Sequence, residues 1–131
     1  ARHGIQGNYI WGRVPDMREW LKGADLALVP LDIARGVQNK VLEAMAMRLP
    51  VVLSPGAATG IPAQDGVHFA IGMSDHELAD AVIGLLQSPA RAAAMGTAAR
   101  KWIVAAASWQ AALAPLPAWL GLGGGSMRDA A

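Results

Sequence analysis

The sequence predicts an α/β fold, a parallel sheet with helices on its faces, and three observations carry that prediction. Two short apolar runs, Leu26–Val29 and Pro50–Ser54, are continuous rather than alternating, as strands buried on both faces require. Stretches with helical spacing lie between and after them, over residues 38–47 and 74–87. The resulting β-α-β-α-β order favours parallel pairing through crossover helices over a set of hairpins.

Each element has a local reason. Tyr9-Ile10-Trp11 is a short strand ending at Gly12, the first of the series. Asp16 is a capping residue for a short helix through Lys22, with Trp20 and Leu21 turned inward. Leu26–Val29 lies between Asp25 and Pro30 as a strand covered on both faces. A helix follows from Gln38 to Met47, whose apolar side is Val41, Leu42, Met45, Ala46 and Leu49. The β-branched run in PVVLS, residues 50–54, makes the next buried strand. Residues 56–66 form a loop, with turn chemistry at Pro55-Gly56 and Asp65-Gly66. VHFAI, residues 67–71, is an edge strand. Ser74 and Glu77 have the spacing of a capping box and start a helix to Gln87. Ser88-Pro89 interrupts it, and an alanine-rich helix runs on to Ala107. Pro115 and Pro117 punctuate a last helical stretch over 109–120. This makes one domain over 1–120, followed by a flexible glycine-rich tail over 121–131.

Composition removes several function classes. At 53% hydrophobic and 16% charged residues, the 131-residue chain has the means to bury a core and is no disordered segment. A net charge of +1 gives no global field for nucleic acid, so none is expected as a partner. Cysteine is absent, which excludes disulfides and thiol catalysis. His3, His68 and His76 lack the spacing of metal ligands, and no metal is expected. The chain opens on Ala1 with no signal peptide, the pattern of a processed or partial chain. Ile103 to Leu122 is too diluted by Gln110, two prolines and glycines to span a membrane. Its tryptophans, Trp102, Trp109 and Trp119, fit either an interfacial helix or packing against protein.

Ligands of open parallel sheets bind beyond the carboxyl ends of the strands, which selects the loops Arg13 to Asp16, Leu31 to Val37 and Pro55 to Gly60. The most suggestive polar cluster follows the second of these. Asn39, Lys40 and Glu43 share a helix face by their three- and four-residue spacing. The N-terminus of that helix favours an anion, Gly36 allows close approach of the backbone, and Lys40 adds a cation. A carboxylate one turn on suits sugar hydroxyls. Spacing alone leaves open a plain alternative, in which Lys40 and Glu43 form a surface ion pair and Gln38 or Asn39 caps the helix.

V-P-D-M-R-E-W-L-K-G-A-D-L-A-L-V-P-L at 14–31, followed by G-V-Q-N-K-V-L-E-A-M-A-M-R-L-P-V-V-L-S at 36–54, resembles the carboxy-terminal donor-binding domain of family-4 retaining glycosyltransferases. Among these it is most similar to the sugar transferases of exopolysaccharide systems associated with PEP-CTERM sorting. The resemblance implies a Rossmann-like domain of the GT-B fold, incomplete at its amino-terminal side. It implies that Glu43 holds the ribose hydroxyls of a nucleotide-sugar, and that backbone amides of Gly36, Val37 and Gln38 hold the diphosphate. Asn39 and Lys40 match a variant of that loop, and Arg13, Val14 and Pro15, with Asp16, match the loop that frames the base.

One departure lies eight residues before Glu43, where the family has a second glutamate on the transferred sugar and this chain has Arg35. Either the donor hexose is handled differently or the donor preference is shifted. A further β-α segment with diphosphate-clamping Arg and Lys, and an acceptor-binding GT-B domain carrying a catalytic-face histidine, would precede Ala1; His3 does not take that histidine's place. The expected parent enzyme transfers a hexose from a nucleoside-diphosphate sugar to a glycan or lipid-linked acceptor, without cofactor or metal. Lys40 and Arg35 would stabilise the departing diphosphate. The expected location is the cytoplasm, at the inner face of the membrane, with peripheral membrane association. A non-catalytic nucleotide-binding fragment and a GT-B-type sugar-nucleotide epimerase are the alternatives.

Overall fold

The computed structural model describes residues 3–5, 7–33, 35–106 and 113–116. Its centre is a three-stranded parallel sheet of β3 (Ala27–Val29), β4 (Val51–Leu53) and β5 (Ala70–Ile71), in that spatial order. Ala27 pairs with Val51, Val29 with Leu53, and Val52 with Ala70. The fold is therefore α/β with helices on a parallel sheet, as the alternation of elements predicts.

β4 is buried at all three positions, because it alone has neighbours on both edges and cover on both faces. Its alternation divides the core. Val51 and Leu53 join Val29, Val41, Met45 and Phe69 on one side, while Val52 joins Ala70, Leu78, Leu85 and Met95 on the other. The first side is covered by α2 (Asn39–Ala46), the second by α4 (Asp75–Leu86). The 18-residue α5 (Pro89–Ala106) serves both, through Met95 on one core and Ala99 on the other. Gly96 sets how closely it can pack: a Cβ there would lie 1.9 Å from the Arg48 carbonyl oxygen. Only glycine allows that approach.

Helix ends follow their local chemistry. The Ser74 hydroxyl accepts from the Glu77 N–H at 3.2 Å, and the Glu77 carboxylate accepts from the Met73 N–H at 2.7 Å. α4 starts where its capping box predicts and ends at a cap at Gln87, just before Ser88-Pro89. Asp16 caps α1 (Met17–Lys22) by accepting from the Arg18 N–H at 2.9 Å. The predicted turn at Asp65-Gly66 has a purpose: the Asp65 carboxylate accepts from the Ile71 N–H at 2.8 Å and so anchors β5.

Four expectations are corrected. The strand expected at Tyr9-Ile10-Trp11 is β2 (Asn8–Ile10), and it does not belong to the parallel sheet. It pairs antiparallel with β1 (His3–Ile5) in a hairpin, Ile5 opposite Asn8, and β2 is exposed at all three positions. Gly7, at φ +87 between the two strands, lets the chain turn back on itself. β3 lies at the sheet edge and is not covered on both faces. Leu28 lies on the face of Val52, where α4 covers β4 and β5, and remains 48% exposed. Trp20 does not turn inward. Leu21 alone from α1 reaches the core, and Trp20 packs on Trp11 with ring centroids 4.5 Å apart. Finally, the loop over 56–66 begins as a single helical turn, α3 (Pro55–Ala58), started by proline at its first position. The predicted stretch over 109–120 and the tail over 121–131 fall outside the described residues, apart from 113–116.

Candidate functional site

α2 carries the candidate site because both its ends are special. At its start, Gln38 is the capping position but makes no side-chain cap; its amide donates instead to the Gly36 carbonyl at 3.2 Å. No acid stands in the first turn, and Lys40 does. Gly36 holds φ +74, a conformation that favours glycine, and nothing would touch a Cβ there. Among the described residues, no side-chain cap and no first-turn acid answers the backbone donors and dipole of the helix N-terminus. Asn39, Lys40 and Glu43 are all exposed, consistent with a common polar face, while Val41, Ala44 and Met45 are buried beneath.

The plain ion pair between Lys40 and Glu43 does not form. Among the described residues, ion pairs join Arg18 to Asp16, Lys22 to Glu19 and His76 to Asp80. Glu43 instead lines a cavity of about 330 Å³ with Asp16, Met17, Arg18 and Leu21 of the α1 region and with Ala46 and Met47. Residues 27 positions apart in the chain, Asp16 and Glu43, therefore bound one space. Asp16 is itself occupied. The Arg18 guanidinium donates to both of its carboxylate oxygens, at 3.0 and 2.8 Å, and these bonds hold the Asp16 carboxyl below its ordinary value. Glu43 is left as the carboxylate with acceptor capacity to spare.

The other residues singled out by sequence are placed differently. Arg13 and Pro15 are exposed, Val14 is half-buried, and the Glu43 cavity begins only at Asp16. Arg35, Gly36 and Val37 are exposed and Gln38 half-buried, at the opposite end of α2 from Met47. Val37 packs towards Gly60, whose Cβ would lie 3.0 Å from a Val37 methyl. A second cavity, about 210 Å³, opens at the carboxyl ends of all three parallel strands. Asp32, Ser54, Gly56, Gly72, Ser74 and Asp75 are among its lining residues. Sequence reasoning selected the loops that bring Asp32 and Gly56 there, but missed Ser54, whose hydroxyl donates to the Leu31 carbonyl at 2.6 Å, and Gly72. It also missed Met17 and Arg18 as neighbours of Glu43; the only available signal was their place beside a capping residue.

The family model for glycosyl transferases, group 1, matches residues 1–88. The chain belongs to that family. No curated protein matches it. For this group 1 glycosyltransferase the matched segment runs from β1 through α4, and it contains both cavities' lining residues. Among the described residues no helix is long and apolar enough to cross a membrane.

Proposed function

We propose that the chain is the donor-binding part of a retaining glycosyltransferase, which transfers a hexose from a nucleoside-diphosphate sugar to a glycan or lipid-linked acceptor. The observation that supports this best is the unpaired Glu43 carboxylate facing a cavity, in a chain of the group 1 family. On this reading Glu43 accepts hydrogen bonds from the ribose hydroxyls, and Arg13, Val14 and Pro15 lead into the part of the cavity that takes the base. The diphosphate lies at the amino end of α2, against the backbone of Gly36, Val37 and Gln38 and beside Asn39. Lys40 and Arg35 face the charge that builds on the leaving diphosphate as the sugar becomes oxocarbenium-like. Protein cations supply that neutralisation without a metal. Transfer needs an acceptor-binding domain working with this one, and a lipid-linked acceptor would bring the assembly to the cytoplasmic face of the membrane. Exopolysaccharide synthesis, of the kind associated with PEP-CTERM sorting, is the proposed setting.

Calorimetry of the full chain with UDP, GDP and their sugars tests the reading. Glu43→Gln removes the charge and keeps the shape, and its side chain is exposed, so the thermal midpoint should hold. Nucleotide affinity should fall about tenfold or more, the scale of one or two charge-assisted hydrogen bonds. Undiminished affinity in Glu43→Gln would sink the assignment. Release of a changed sugar-nucleotide without any acceptor would point to epimerisation instead.

A further inference from the structure

The carboxyl end of α2 has a feature that nucleotide binding does not use. The helix closes in a left-handed turn: the Leu49 N–H donates to the Ala44 carbonyl at 3.0 Å, and the Arg48 N–H to the Met45 carbonyl at 3.1 Å. Arg48 itself sits at φ +62. Such a position ordinarily belongs to glycine, because a Cβ there crowds the backbone. Arginine has no conformational reason to occupy it.

Its side chain does have surroundings that give a reason. Arg48 lines a cleft of about 380 Å³ with Thr97, Arg100, Lys101 and Val104, and an adjoining cavity of about 220 Å³ with Ala46, Met47 and Arg100. Three cations thus border one space, and among the described residues no carboxylate lines it. The ion pairs among the described residues all lie elsewhere. The chain as a whole carries only +1, so this is a local concentration of charge and not a reflection of a basic protein. The negative end of the α2 dipole also points here, but Arg100 answers it by donating to the Ala46 carbonyl. Among the described residues neither Arg48 nor Lys101 has an ion-pair partner. The close approach of Gly96 to the Arg48 carbonyl packs the turn against α5, so the backbones that carry the three cations are adjacent.

We propose that Arg48, Arg100 and Lys101 form a phosphate-binding site, distinct from the Glu43 cavity, that accepts phosphomonoester or phosphodiester groups. Arginine's planar fork matches phosphate oxygens in pairs, which gives a reason for an arginine at this strained position. The site stands on its own geometry and does not rest on the nucleotide reading.

The full chain would be titrated with inorganic phosphate at low ionic strength. It would also be sedimented with vesicles of phosphatidylcholine, with and without phosphatidylglycerol. Phosphate binding identifies a small anion as sufficient, and retention on phosphatidylglycerol vesicles alone identifies a lipid headgroup; either result supports the site. Arg48→Gly should lower that binding about tenfold while raising the thermal midpoint, because it removes a phosphate contact and relieves the left-handed turn. Lys101→Ala should also weaken it. Arg91→Ala, an equal loss of charge on the same helix outside the cleft, should leave it intact. The proposal fails if the wild-type chain binds in neither arm, if Arg48→Gly binds as well as wild type, or if Arg91→Ala weakens binding as much.

Discussion

Glu43 and Lys40 show how much a single residue's meaning depends on what it touches. Their spacing is that of a routine helical ion pair, yet no such pair forms, and Glu43 faces a cavity whose far wall is the α1 region. Asp16, on that wall, illustrates the opposite case, a carboxylate whose role was readable from sequence. It caps α1 and accepts from Arg18, and its pKa is lowered chiefly by the Arg18 side-chain hydrogen bond. A lowered carboxyl pKa contributes stability that is present above the unfolded value near 3.9 and is lost as pH falls through the folded value. Protection factors of the α1 amides, corrected for the intrinsic pH dependence of exchange, should therefore fall below about pH 4, and Asp16→Asn should abolish that acid dependence while still capping the helix. Gly96 sets a steric limit that no propensity argument would find. Gly96→Ala should destabilise by about 2 kcal/mol, read in urea, despite alanine's better helix propensity, because its methyl overlaps the Arg48 carbonyl.

At the scale of elements, helix starts were more legible than strand positions. The capping box at Ser74 and Glu77 acts within a few residues and marks the start of α4, while Ser88-Pro89 marks its end, and both fall within a residue or two of the observed bounds. Ser74→Ala should cost about 1 kcal/mol, measured as a drop in the thermal midpoint. The same locality explains α2, whose apolar positions Val41 and Met45 are fully buried as their spacing requires. Strands are different. Leu26–Val29 and Pro50–Ser54 look alike as apolar runs, but β4 is central and β3 is at the edge, a distinction made by which segments pair on either side. The hairpin of β1 and β2 escaped notice because its strands are three residues each, too short to carry a periodicity.

The whole molecule is held by one central strand between two cores. Val51 and Leu53 face α2 and Val52 faces α4, so β4 couples layers that otherwise meet mainly through α5. Leu53→Ala should cost about 3 kcal/mol and lower urea midpoints followed on either core together, since both depend on the same strand. Separate transitions for probes on α2 and α4 would contradict that coupling. The sequence by itself determined the α/β class, the helices at 39–46 and 75–86, the buried strand at 51–53 and the polar face of α2, because each depends on periodicity, capping or β-branching over a few neighbouring residues. Only the tertiary structure decided that β1 and β2 leave the sheet, that β3 has an open face, that Glu43 shares a cavity with Asp16, and that Arg48, Arg100 and Lys101 converge. Those outcomes depend on segments tens of residues apart being brought together by burial, and no local pattern records which segments those will be.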